Sequence, residues 1–110
     1  MHKLARLYER YDFSGSAVII DASGAQMGAH VSNISYGGCR LLTNSRLPIA
    51  IQVTVKIRAL DAELEAPAKV VHSTDNDAGV MFGKLTTEAL FVLQKWIQEA
   101  RYTQSMNATE

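Results

Sequence analysis

The chain has 110 residues, with 11 Lys+Arg against 11 Asp+Glu for a formal net charge of zero, and 47% hydrophobic against 20% charged residues. Domains commonly run about 100–200 residues, so a second domain is excluded, and this composition also excludes an intrinsically disordered chain. Without a basic excess there is no counterion-release footprint for gripping long DNA or RNA, although a few cations can still hold a small anion.

The N-terminal residues lack the apolar stretch of a signal peptide, and no run approaches the roughly 18 apolar residues of a membrane helix. The reading is a soluble, cytoplasmic chain with no membrane insertion. The first segment with chemistry is Arg6-Leu7-Tyr8-Glu9-Arg10, two arginines four apart, ahead of any strand pattern. That spacing sets both side chains on one face in helical or extended chain, where two like charges repel mildly. A shared anion turns the repulsion into an advantage, because each guanidinium fork binds phosphate oxygens bidentately and stacks on flat rings. Taken alone, the segment is equally a solvated stretch with two unrelated arginines.

Strands follow in quick succession. Residues 16–21 form a short apolar strand closed by Ser23-Gly24, and residues 26–32 a second. The next turn is Asn33-Ile34-Ser35-Tyr36-Gly37-Gly38. Asn33 and Ser35 are two apart and share a face in extended chain, offering an amide and a hydroxyl. Gly37 and Gly38 allow positive φ and close backbone approach. The same residues also make an ordinary β-turn.

Residues 39–43 form the third strand. From residue 51 to 59, apolar Ile51, Val53, Val55, Ile57 and Ala59 alternate with Gln52, Thr54, Lys56 and Arg58, the period of a half-buried strand. Leu64, Ala66, Ala68 and Val70 alternate in the next, after a short connection at Asp61-Ala62. Pro67 has no N–H to give, which predicts a sheet edge or a bulge there. A polar turn at residues 73–77 precedes a sixth strand over residues 78–82. The pattern then changes. Thr86-Thr87-Glu88 starts a helix running to Tyr102, with Ala89, Leu90, Leu93, Trp96, Ile97 and Ala100 on one face. That face is expected to cover an apolar opening of the sheet, with residues 103–110 as a loose polar tail after a domain spanning residues 1–102.

The two motifs gain weight as a pair. Arg10 precedes Asn33 by 33 − 10 = 23 positions. That is room for a strand, a turn and a returning strand that bring both motifs to one end. Here the chain resembles the PilZ domains, whose signature is RxxxR followed, after such an interval, by D/N-x-S-x-x-G. Arg6 and Arg10 match the first part; Asn33, Ser35 and Gly38 match the second. Chance agreement at this spacing has odds on the order of 1 in 1,000 from residue frequencies. Gly79-Val80-Met81-Phe82 also looks like the family's G-V-x-F strand, so the likeness covers about residues 4–100.

The resemblance implies an all-β fold, a six-stranded antiparallel β-barrel with a C-terminal α-helix, serving as a receptor for cyclic di-GMP. It implies Arg6 and Arg10 on the ligand's phosphates and guanine edges. Asn33 and Ser35 would hydrogen-bond nearby, and Gly38 would keep the turn open to the ligand. Ligand binding would order the N-terminal segment and present it to a downstream protein. No cofactor, metal or enzymatic activity is expected, because neither a nucleophile–base pair nor ligand-like His and Cys spacing stands in the sequence. The rival is an adaptor of the same fold that binds proteins without nucleotide. A nucleic-acid barrel would need aromatic platforms and a basic groove, against 7% aromatics here. Cys39 reads as a buried inert thiol, Asp75-Asn76-Asp77 as a turn, and Trp96 as core. Tyr8, Tyr11 and Tyr36 are left between purine stacking and barrel rim.

Overall fold

The structure, a computed structural model, describes residues 8–108, with side chains through residue 104. Six strands precede one helix: β1 (Tyr11–Ile20), β2 (Gln26–Ile34), β3 (Gly38–Leu42), β4 (Gln52–Ala59), β5 (Ala62–Ser73), β6 (Asp77–Phe82) and α1 (Thr87–Ala108). They close into an antiparallel barrel in the order β1-β2-β3-β6-β5-β4, with β4 returning to β1. Non-sequential strands meet twice, where β3 pairs with β6 and where β4 pairs with β1.

Alternation decides which residues face inward. Val53, Val55 and Ile57 of β4 are buried, as are Leu64, Ala66, Ala68 and Val70 of β5. The small alanines on β5 leave room for larger neighbours across a narrow interior. Helix α1 stoppers one end, with Leu93 and Ile97 wholly buried and Trp96 packed on Phe13 at 5.2 Å between ring centroids. Each such side chain contributes about 1.5–3 kcal/mol through the apolar surface it removes from water. Thr86 caps the helix: its Oγ1 accepts from the Ala89 N–H at 3.0 Å.

The structure departs from the sequence reading in five places. β1 begins at Tyr11 rather than near residue 16: Tyr11, Phe13 and Gly15 alternate with Asp12 and Ser14, but Asp12, Ser14, Gly15 and Ser16 are poor strand formers and mask that alternation. Pro67 lies on neither an edge strand nor a bulge. Its carbonyl accepts from the Gly83 N–H at 2.7 Å, beyond the last paired residue Phe82, so the missing N–H faces the point where the β5–β6 ladder ends. The β4–β5 turn is made by Leu60 and Asp61, both at positive φ (50° and 62°), with Ala59 and Ala62 paired. Leu90 is 41% exposed, at the flank of the buried stripe rather than in it. Finally, α1 continues through Ala108, past the expected end at Tyr102. No Gly or Pro follows Tyr102 to stop it, so residues 103–108 are helix rather than loose tail.

Two left-handed residues without glycine make the β4–β5 turn a local weak point. Positive φ costs a non-glycine residue about 1–2 kcal/mol, and Asn-Gly is the pair this turn geometry favours. Replacing Leu60→Asn together with Asp61→Gly should therefore raise unfolding stability by about 1 kcal/mol, read as a shift of the urea midpoint at constant slope.

Candidate ligand-binding cleft

Three strands of the barrel carry a bulge. The irregularities fall between Asp12 and Gly15 on β1, Val31 and Asn33 on β2, and Val70 and His72 on β5. Bulges re-aim side chains. Here they leave one cross-strand row, Asn33–Arg40–Gly79–His72, running over β2, β3, β6 and β5 on the outer face. The row beneath, Ile34, Cys39, Val80 and Val70, faces the core.

Above this surface opens a cleft of about 890 Å³, lined by Tyr8, Arg10, the 33–40 segment and the facing residues of β5 and β6. Of the five residues singled out in the sequence, Arg10, Asn33, Ser35 and Gly38 meet in this cleft, although Arg10 and Asn33 are far apart along the chain. Arg6 lies outside the described residues.

The bend at 35–38 is rigid for reasons its own atoms supply. The Ser35 N–H donates to the Gly38 carbonyl at 2.9 Å. Ser35 Oγ accepts from the N–H groups of Gly37 and Gly38 at 3.1 and 3.2 Å. The hydroxyl is thus committed to the turn, and the residue is 8% exposed. The Gly37 carbonyl in turn accepts from the Phe82 N–H at 2.8 Å, fastening the bend to β6. Gly37 and Gly38 do not use positive φ; among the described glycines only Gly24 does. Close approach is the reason for Gly38, since a Cβ there would collide with the Val80 carbonyl oxygen. Gly79 differs, for a Cβ would meet only the His72 Cβ at 3.5 Å and Val71 at 4.0 Å.

The sequence reading missed the electrostatic centre of the cleft wall. Arg40 Nε donates to Asp77 Oδ2 at 2.8 Å, and its Nη2 forms an ion pair with the same oxygen at 2.8 Å. Thr74 Oγ1 donates to the other oxygen, and His72 Nε2 lies 3.7 Å from it. The Thr74 hydrogen bond, followed by the Arg40 fork, holds the Asp77 carboxyl below its ordinary value against the opposing effect of burial. In the sequence Arg40 falls within the third strand, residues 39–43, with nothing to give it a role. Its partner lies 37 residues on, across the non-sequential β3–β6 pairing. Cys39 is buried as expected, and burial pushes its thiol up to about 12, leaving a neutral, unreactive group. Tyr8 and Tyr36 line the cleft, whereas Tyr11 packs against the core.

The chain belongs to the PilZ domain family, whose sequence model matches residues 5–99. Solved structures share the fold at low identity. The PilZ domain of YcgR from Escherichia coli, solved with c-di-GMP, aligns at a TM-score of 0.76 and 12% identity over 96% of this chain and 98% of its own. The PilZ domain of CeSA from a cellulose-synthesizing bacterium aligns at 0.66 and 14%, over 87% and 98%. PlzA of Borreliella burgdorferi, solved in complex with c-di-GMP, aligns at 0.67 and 20% over 84% of this chain, which spans 41% of that protein. No curated protein sequence gives a significant match.

Two measurements probe this architecture. Gly38→Ala should lose about 1–3 kcal/mol of unfolding stability through the forced separation of β3 and β6. Gly79→Ala, whose added methyl finds room, should stay within about 0.5 kcal/mol of the parent. Asp77 supplies the pH dependence. A depressed carboxyl pKa contributes stability above its unfolded value, near 3.9, that is lost as pH falls through the lower folded value. Asp77→Asn should therefore be less stable than the parent at pH 7, and the gap should close as denaturation is repeated from about pH 5 towards pH 2.

Proposed function

We propose that the cleft is a receptor site for cyclic di-GMP, with Arg6, Arg10, Asn33, Ser35 and Gly38 as its ligand-binding residues and a partner protein as the recipient of the signal. The observation that carries this reading is that Arg10 and the 33–38 bend, 33 − 10 = 23 positions apart at their nearest members, line one cleft. Membership of the PilZ family and the c-di-GMP held by the YcgR and PlzA structures support the same ligand. At about 890 Å³ the cleft lies within the range of about 300–1,000 Å³ usual for small-molecule sites.

The chemistry follows from the donors present. Cyclic di-GMP carries two phosphodiester charges and two guanines. An arginine fork meets either a phosphate or the O6/N7 edge of guanine with two parallel hydrogen bonds. The amide of Asn33 both donates and accepts, which suits the remaining polar edge of the base. Ser35 acts through the bend, since its oxygen already serves two backbone amides. Gly38 keeps β3 against β6 so that the bend stays shallow and a flat ring can approach the backbone. Arg40 adds a third guanidinium at the wall, its charge balanced by Asp77. Function is then a matter of binding and ordering. The segment carrying Arg6 and Arg10 settles on the dinucleotide and, with it, forms a surface that a partner reads.

Calorimetric titration tests the assignment. The parent should bind cyclic di-GMP with micromolar or tighter affinity. Loss of one bidentate contact, worth about 1–3 kcal/mol, should leave Arg10→Ala about tenfold weaker or worse with an unchanged melting midpoint. Equal affinities would remove Arg10 from the site. No heat from the parent at any concentration would leave the protein-only adaptor, and salt-sensitive binding of single-stranded oligomers would indicate a nucleic-acid barrel.

A further inference from the structure

We infer that Tyr8 is a positioning residue, an anchor that holds the arginine-bearing segment on the 35–38 bend before any ligand arrives. Its effect on affinity rests on the cyclic di-GMP reading; the contact itself is a property of the free chain. Tyr8 stands between the two arginines of the RxxxR motif. Its ring lies directly on Gly37, so near that a Cβ at that position would sit 2.8 Å from Tyr8 Cδ2 and 3.2 Å from Cε2. The seat exists because residue 37 has no side chain. Tyr36 flanks it, with ring centroids 6.3 Å apart and planes tilted by 58°, within the range of favourable edge-to-face pairs.

The seat is itself fixed. Gly37 donates its N–H to Ser35 Oγ at 3.1 Å and accepts the Phe82 N–H at 2.8 Å, so the ring rests on a point tied both to the bend and to β6. On the other side of Arg10 the chain enters β1, where Tyr11 pairs with Ile34. Glu9 and Arg10 therefore span two attachments, Tyr8 on Gly37 and Tyr11 on Ile34, and both attachments belong to the segment that carries Asn33 and Ser35. A chain held at both ends has already lost much of the freedom that binding would otherwise remove, and preorganisation of that kind strengthens affinity without adding a contact to the ligand. The ring alone is enough for this role, because the contact described is between its Cδ2–Cε2 edge and a glycine.

Proton NMR of the free chain tests the anchor directly. Cross-relaxation between the Tyr8 ring protons and the Gly37 α-protons should be present without nucleotide. The ring-current shift of those α-protons should vanish in Tyr8→Ala and persist in Tyr8→Phe. In titrations with cyclic di-GMP, Tyr8→Ala should bind about five- to tenfold more weakly than the parent, and Tyr8→Phe within about twofold of it. Absence of the cross-peak in the free chain would overturn the inference. So would Tyr8→Ala binding as tightly as the parent or more tightly, since the ring would then be an idle cover or a plug. A cross-peak in a parent that gives no heat with the nucleotide would uphold the anchor and remove the ligand reading instead.

Discussion

Barrel closure and cleft shape both depend on how closely β3 approaches β6. These strands are not neighbours in sequence, and their pairing, together with that of β1 and β4, turns two antiparallel runs into a ring. The approach passes through Gly38, where the backbone of one strand lies against the Val80 carbonyl of the other with no space for a methyl group. The same pairing brings Arg40 beside Asp77 and lets Phe82 hold the carbonyl of Gly37. One absent side chain thus fixes the wall, the floor and the bend of the cleft together. Elsewhere the barrel is held by ordinary inward alternation, which tolerates exchange of one apolar residue for another of similar volume.

Charge in the cleft is arranged unevenly. Arg40 is neutralised by a carboxylate with 10% of its side chain exposed, itself satisfied by Thr74 and Arg40, so this guanidinium is pinned in place. Arg10 is exposed on a short stretch between two attachments. The paired cation belongs to the wall and the exposed one to the stretch tethered beside it. Such a division suits a ligand received between two preset surfaces, one neutralised and one still carrying an exposed charge.

Most of the fold was legible because its determinants are local. The alternation of β4 and β5 announces strands wherever the ladder is regular, and Ala89, Leu93, Trp96, Ile97 and Ala100 announce the helix by their spacing. Legibility failed where poor strand formers masked the pattern or a rule gave way to tertiary context. The run Asp12, Ser14, Gly15 and Ser16, poor in strand formers, hid the first half of β1. Leu60 and Asp61 adopt a turn geometry that their identities disfavour, and the end of α1 carries no stop signal. At the site, the spacing of Arg10, Asn33, Ser35 and Gly38 was readable as a pattern. The work of Ser35 within the turn was not, because it depends on three-dimensional hydrogen bonding that its side chain alone does not reveal. Arg40 with Asp77 was invisible for a different reason, since their pairing exists only once a non-sequential strand order is known.

The ring of six strands has a further bearing on how a signal leaves the molecule. A sheet with a bare flank can recruit another polypeptide by lending it backbone hydrogen bonds, a mode of capture nearly indifferent to sequence. Here every described strand has a partner on each side, and backbone paired on one side only is confined to strand ends such as Ala62–Pro67 of β5 and Gln26–Ala29 of β2. A protein that docks on the fully paired wall of β3 and β6 must therefore discriminate by side-chain shape and charge. A few surface replacements would suffice to redirect it without disturbing the ring beneath.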